Sequence, residues 1–386
     1  MPRQPDAPFT WSQWIEDKTG KPTRYFYQLI LDLWRRVNDI ESSNQADVHT
    51  AQIAALRKEI SGLNNDFYLE VAKGNVPGHS IVNKFGRNDA IQNASTFEAI
   101  WNGGGAYTGH DATVAETLEC FAGNTEDAGT VLSSGTLTGG STTTLIDTGA
   151  TFSSDGVAAG DVCINDTQSD HGIVVSLTGE TQINVLRMNV GTTNASGDTY
   201  RIVTKASTGS PVLKLKNLLR TGFANSTTEY IVLNGTNAVD TVGTYLRCSR
   251  GRCHGEVNTN AITVRQKTTT ANVMMVLPIG YGSTMIAADT IPAGKTGYII
   301  RVFASLSGKT NADAVVRWKV REVNDSFQTQ EEFALQGNGT TFAERNYDTP
   351  KGPYQEMSDI FVEASADTNS TGVSAAWSIL YVDDGF

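Results

Sequence analysis

From Thr113 to the C-terminus, apolar residues recur at every second position in short runs, and the runs stop at Gly, Asp, Asn or Ser-Gly. Side chains on a β-strand alternate between faces, so this period commits most of the chain to strands with one covered and one wet side. Val162 with Ile164, Ile173 to Val175, and Ile183 with Val185 carry the pattern first. Ser154-Asp155-Gly156 and Gly160-Asp161 supply turn chemistry, and Gly197 to Val203 reads as a closing strand. This predicts a small all-β module over 113–206. A second block, 207–386, reads as about ten strands, among them Val212–Leu215, Glu229–Leu233, Thr244–Cys248, Val273–Leu277, Tyr298–Phe303, Ala314–Val320 and Ala376–Val382. Lys214, Arg317 and Lys319 alternate there with apolar neighbours, which predicts a sandwich, with a jelly-roll-like one as the specific expectation.

Residues ahead of 113 follow other periods. Phe26, Ile30, Leu33, Val37 and Ile40 recur at spacings of four and three, one face of a helix. Phe9, Trp11 and Trp14 precede it without enough chain around them to form a domain that buries them. Tryptophan is enriched where surfaces are hidden on binding. Segment 1–40 is therefore read as an anchor that docks through Phe9, Trp11, Trp14, Tyr25, Phe26 and Trp34, the alternative being an arm folded back on the β-modules.

A new phase, Ala46, His49, Ile53, Leu56, Ile60, Leu63 and Phe67, gives a heptad run of about three repeats. The expectation over 41–72 is a coiled-coil stalk in which Ile53, Leu56, Ile60, Leu63 and Phe67 meet their copies, with a helix packed on its own β-module as the alternative. Alternating Ile and Leu at the seam leaves dimer and trimer open. Val76-Pro77-Gly78 stops the helix and Gly103-Gly104-Gly105 is a loop, so 73–112 reads as an irregular collar. Fold class is thus mainly β with an α-helical N-terminal stalk and two β-modules.

Charged residues make up 18% of the chain, below the roughly 25% of an average soluble protein, and the formal net charge is −11. That sign opposes phosphate, so nucleic acid is not an expected partner. No run approaches the ~18 apolar residues of a membrane span, and the N-terminus lacks the apolar core of a signal peptide, so the expectation is a soluble product of a cytoplasm with no membrane partner. Cys120, Cys163, Cys248 and Cys253 are too few and too scattered for a disulfide framework and read as reduced and buried.

Candidate chemistry reduces to structural readings. Gly294-Lys295-Thr296 has the end of a phosphate-binding loop, but Asp289 stands where the motif requires glycine, and Tyr298 to Val302 reads as a strand where it requires a helix. Cys248, Cys253 and His254 lack a second ligand pair at zinc spacing, and lie among Arg247, Arg250 and Arg252 as a basic strand end suited to an acidic neighbour. No nucleophile elbow accompanies the histidines, and Asp170-His171 alone makes no triad. Asp161, Asp166, Asp198 and Glu363 could serve glycosidic cleavage only if two met across a cleft. The expectation is a non-enzymatic chain with no catalytic, cofactor-binding or metal-binding residues.

The stretch Ile81-Val82-Asn83-Lys84-Phe85-Gly86-Arg87-Asn88, followed by Glu98-Ala99-Ile100-Trp101-Asn102-Gly103-Gly104-Gly105-Ala106-Tyr107, resembles a signature of virion structural proteins of tailed phages. Residues 140–152 and 291–298 are similar to the same proteins, and the resemblance spans about 75–386. It departs at Asp89, where the family pattern has proline. The resemblance implies a homotrimeric tail-fibre or head-fibre-like appendage, assembled in the host cytoplasm and carried on the virion, without catalytic residues. Its implied partners are itself and another virion protein of the tail or capsid. A surface rich in Ser, Thr, Asn and Gly adds a host surface glycan as a candidate. Capsid decoration and a polysaccharide-degrading tailspike are the rival readings.

Overall fold

The computed structural model describes residues 67–386, apart from 93–95, 188–192, 206–207, 226–227, 308–311, 340 and 386, together with Asp32 and Ile53. The anchor residues Phe9, Trp11, Trp14, Tyr25, Phe26 and Trp34, and the seam residues Leu56, Ile60 and Leu63, lie outside the described residues. Asp32 and Ile53 are helical, and Ile53 is half-buried. Residues 67–72 are helical, and Phe67 there is 40% exposed and meets the His79 ring edge-on at 5.9 Å between centroids.

The described chain is mainly β, in several antiparallel sheets. Strands β1 (His79–Ile91) and β2 (Glu98–Ala99) come first, and β3 (Glu116–Ala122) follows in a different sheet. The next seven stay together. They are β4 (Gly129–Thr136), β5 (Gly139–Gly140), β6 (Thr144–Ile146), β7 (Val162–Asn165), β8 (Asp170–Leu177), β9 (Gln182–Arg187) and β10 (Thr199–Lys205), ordered β4-β10-β7-β8-β9-β6-β5. Then β11 (Val212–Leu219), β12 (Glu229–Val232), β13 (Val239–Tyr245), β14 (Arg247–His254), β15 (Ile262–Gln266) and β16 (Val273–Leu277) build two sheets, β12-β11-β14 and, around β3, β13-β3-β15-β16. The last seven are β17 (Ala288–Thr290), β18 (Lys295–Ser307), β19 (Asp313–Arg321), β20 (Gln328–Gln336), β21 (Phe342–Tyr354), β22 (Asp359–Ala366) and β23 (Thr371–Asp383). They return to the start of the chain as the sheets β1-β23-β18-β21 and β17-β22-β19-β20, with β2 added on β22.

Three units are therefore nested by insertion. The outer unit (β1, β2, β17 to β23) is interrupted by the middle one (β3, β11 to β16), and that in turn by the inner one (β4 to β10). Each has its own core. Trp318, Val316, Ile299 and Trp377 lie between the two outer sheets; Leu118, Leu213, Leu215 and Met275 fill the middle unit; Leu145, Phe152, Ile183 and Tyr200 fill the inner one. The period-two pattern places them: in β19, Ala314, Val316, Trp318 and Val320 are buried while Arg317, Lys319 and Arg321 take the other face. In β18 the buried positions pass from Ile299 to Val302 because the register shifts between Ile299 and Arg301.

Three readings of the sequence are corrected. The block 207–386, expected as one sandwich, divides: β11 to β16 join β3 in the middle unit, and β17 to β23 join β1 and β2 in the outer one. The expected irregular collar contains β1, a strand of 13 residues paired along its length with β23. Its covered positions are Lys84, Gly86, Asn88 and Ile91, so only the last is apolar and no hydrophobic period marks it. Gly86 is needed there, because an added Cβ would lie 2.3 Å from the Ala287 nitrogen and 2.4 Å from the Ile100 oxygen. The block expected over 113–206 also divides, since β3 pairs with β13 and β15 rather than with the inner sheet. Alternation shows which face a strand buries, not which sheet it joins.

Candidate functional site

Buried charge gathers where units meet. Asp359 on β22 accepts from Arg247 of β14 through Nε at 3.2 Å and Nη2 at 3.2 Å, from Arg321 Nη2 at 2.7 Å, and from Thr290 Oγ1 at 2.5 Å. Arg247 also donates to the carbonyls of Ala112 and His110. Burial alone would raise the Asp359 carboxyl, but the charges of His110 and Arg247 and these bonds outweigh it and hold it at about 2. His110 lies alongside, with Nε2 3.7 Å from Asp359, and burial pushes it down to about 4. On the next strand Asp289 accepts from Ser249 Oγ at 2.7 Å and faces Lys84 Nζ at 3.5 Å. Lys84 itself donates to Ser249 O and Oγ, and burial lowers its pKa against the pull of Asp289. Cations and hydroxyls of the protein surround both carboxylates, so the cluster fastens the outer unit to the middle one.

The inner unit is held by a different set. Asp127, fully buried, accepts from the backbone nitrogens of Ser210 at 2.8 Å, Thr259 at 2.9 Å and Asn260 at 2.9 Å, tying together loops of the middle unit where the chain leaves for β4. Across the same junction His171 Nδ1 lies 2.9 Å from the Tyr230 hydroxyl, and the rings of His171 and His254 are 3.8 Å apart. Burial lowers His171 to about 4 and His254 to about 3, assisted by the positive charge of Lys214. Lys214 stands 4.9 Å over the Tyr230 ring and is lowered by burial, with Lys216 and Arg252 adding to the effect, to about 8.

A third arrangement faces solvent. Antiparallel register sets Lys214 opposite Arg252 and Lys216 opposite Arg250 on β11 and β14. Like charges directly opposed on paired strands are destabilising. Lys216, Arg250 and Arg252 are exposed, and among the described residues none of the four has a carboxylate within ion-pair distance. Arg250 continues into a cleft of about 450 Å³ between β14 and the open face of β1, β23 and β18. Asn83, Ser378 and Arg301 stand in one row across that face, and Phe85, Ala376 and Phe303 in the next. Ser378 Oγ donates to Asn83 Oδ1 at 2.6 Å. The small Ala376 leaves a floor between the two phenyl rings, whose strands are separated by about 10 Å.

The carboxylates considered for glycosidic cleavage each have partners within the protein. Asp161 accepts from the Ala158 nitrogen, Asp166 pairs with Arg201, Asp198 accepts from Asn165, and Glu363 pairs with Arg317 and Lys319. Residues 291–294 form the turn between β17 and β18, as read. Cys248 and Cys253 are buried free thiols on β14, and no His, Cys, Asp or Glu cluster suited to a metal occurs among the described residues. Arg250 and Arg252 were legible as a basic strand end. Lys216, Asn83 and Arg301 were not, because only strand pairing brings them there.

No protein-family profile matches the chain, and no curated protein matches it. Among solved structures, it is similar to the structure of infectious bursal disease virus Gx strain at 9% identity, covering 76% of this chain and 75% of that one with a TM-score of 0.20. It is similar also to the infectious bursal disease virus VP2 subviral particle at 7% identity, covering 80% and 73% with a TM-score of 0.16. Likeness at this level carries no argument about function.

Proposed function

We propose that this chain is a non-enzymatic structural protein of a tailed-phage virion. In this reading it is a homotrimeric fibre-like appendage, anchored to the particle by residues 1–40 and bundled through 41–72, whose β-units face outward and adhere to a host surface glycan. The jelly-roll-like sandwich expected over 207–386 is proposed for the part of it that lies in the outer unit, β17 to β23. One observation supports it above the others: Lys84 and Asp289 with Ser249, Arg247 with Asp359, and His171 with Tyr230 are buried polar groups that join one nested unit to the next. A stiff, stoichiometric part is built that way, and repetition in a trimer would make weak surface contacts avid.

Light scattering on the purified full chain is expected to give three times the mass of 41.5 kDa. Gold labelling of particles is expected to place the protein at fibre positions. A persistent monomer removes the bundle, and label spread flat over capsomers replaces the appendage by a decoration protein.

A further inference from the structure

The paired cations of β11 and β14 set like charges opposite one another. Lys214 opposes Arg252 and Lys216 opposes Arg250, in a protein whose formal net charge is −11. Many other basic side chains are matched: Arg265 with Glu119, Arg317 with Glu363, Lys295 with Asp383. Asp170 pulls on Lys214, but Lys216, Arg250 and Arg252 are exposed and, among the described residues, have no carboxylate within ion-pair distance. A folded chain that sets such like charges face to face is less stable for it and gains when an anion arrives. The strip does not end in open solvent. Arg250 belongs both to it and to the cleft, which Arg301, Asn83 and Ser378 also line. Arg301 Nε is paired with Glu344 at 3.0 Å, so the guanidinium free for a ligand there is that of Arg250, beside the amide of Asn83 and the hydroxyl of Ser378. Phe85, 45% exposed, and Phe303 present rings on either side of Ala376.

Repeated negative charge alone would be met by the strip. Hydroxyl-rich rings with an apolar face would be met by the trough between the phenyl groups. We infer that the strip Lys216–Arg250–Arg252 and the adjoining cleft bind an acidic polysaccharide, with carboxylates of successive sugars on the strip and one sugar ring lying over Ala376 between Phe85 and Phe303. Nucleic acid shares the charge but would use the strip without needing the cleft's amide and hydroxyl row. This deepens the reading of an adhesive appendage and rests on it for the biological setting, though the binding itself is a property of the single chain.

The test titrates the full chain with polygalacturonate at low ionic strength, beside neutral dextran and single-stranded DNA. Expected are binding of polygalacturonate with a rise in melting temperature, no binding of dextran, and weaker binding of DNA. Added salt should weaken the complex. The double variant Lys216→Ala, Arg250→Ala should lose at least tenfold in affinity while melting, without ligand, at or above the wild-type temperature. Phe85→Ala should lose several-fold with the salt dependence unchanged. Absence of polygalacturonate binding, retention of affinity by the double variant, or DNA bound at least as tightly would each overturn the assignment. A monomeric chain, or one missing from particles, would sink the appendage reading and leave this titration standing.

Discussion

Removing the charge of Asp359 leaves Arg247, 5% exposed, without its counter-ion, and an amide in its place keeps only one of the two oxygens that serve Thr290 and Arg321. An uncompensated buried charge is among the more damaging single changes, about 3 to 5 kcal/mol. Asp359→Asn should therefore lower the unfolding free energy obtained from urea titration by that amount, and a loss below about 1 kcal/mol would show that the seam draws little from this pair. Arg321, with a 24% exposed side chain, should matter less, because water can replace part of what it loses. At this scale the sequence was partly legible. The run Arg247, Arg250, Arg252 was visible as a basic strand end, but its members divide between two tasks: Arg247 turns inward to Asp359 while Arg250 and Arg252 face solvent. Alternation puts Arg247 on the face opposite Arg250 and Arg252, but the local sequence does not give its partner, which lies 112 residues away.

Strands declared themselves where one face is apolar. Val273 to Leu277 reads as a strand and is β16 with the same limits, and Ala314 to Val320 lies within β19. The run Thr244 to Cys248 instead spans the end of β13 and the start of β14, with Leu246 between them. β21 escaped because it is an edge strand with largely wet positions and carries Pro350 and Pro353, which an edge tolerates and a central strand does not. Pairing explains the nested organisation that composition cannot show. Gly129 and Lys205 are direct partners in the β4–β10 ladder, so the inner unit begins and ends at one place. A module whose ends meet can be removed without stretching its host. Replacing 129–205 by a short Gly-Ser link should leave a chain that still unfolds cooperatively, read by circular dichroism. The excised piece should fold alone but less stably, because Val162, Ile164 and Val203 lose Val212 and Tyr230 as cover. Loss of all cooperativity in the shortened chain would show that the middle unit depends on its insert.

Across the whole molecule the two seams differ in how they meet acid. His171 and His254 have folded-state values of about 4 and about 3, below the ordinary 6.5, so between those limits the unfolded chain holds more protons. Stability from this pair is complete above about 6.5 and is lost as pH falls toward 4 and 3. His110 at the other seam is lowered too, but Asp359 stands 3.7 Å away to receive its charge. The surroundings of His171 and His254 are Tyr230, Asp170 and the cations Lys214, Lys216 and Arg252, so a new proton there meets mostly positive charge. The junction between inner and middle units should therefore loosen first. Hydrogen exchange at pH 5 against pH 7, corrected for intrinsic rates, should show β8 and β12 losing protection while β19 and β22 keep theirs. Equal loss in both pairs would place the weakness in the fold as a whole, and loss confined to β22 would assign it to the Asp359 seam. Stability should also rise between pH 8 and 10.5 as Lys214, lowered to about 8, gives up its proton before the unfolded chain does. That gain should vanish in Lys214→Met if the cation facing Arg252 is its source.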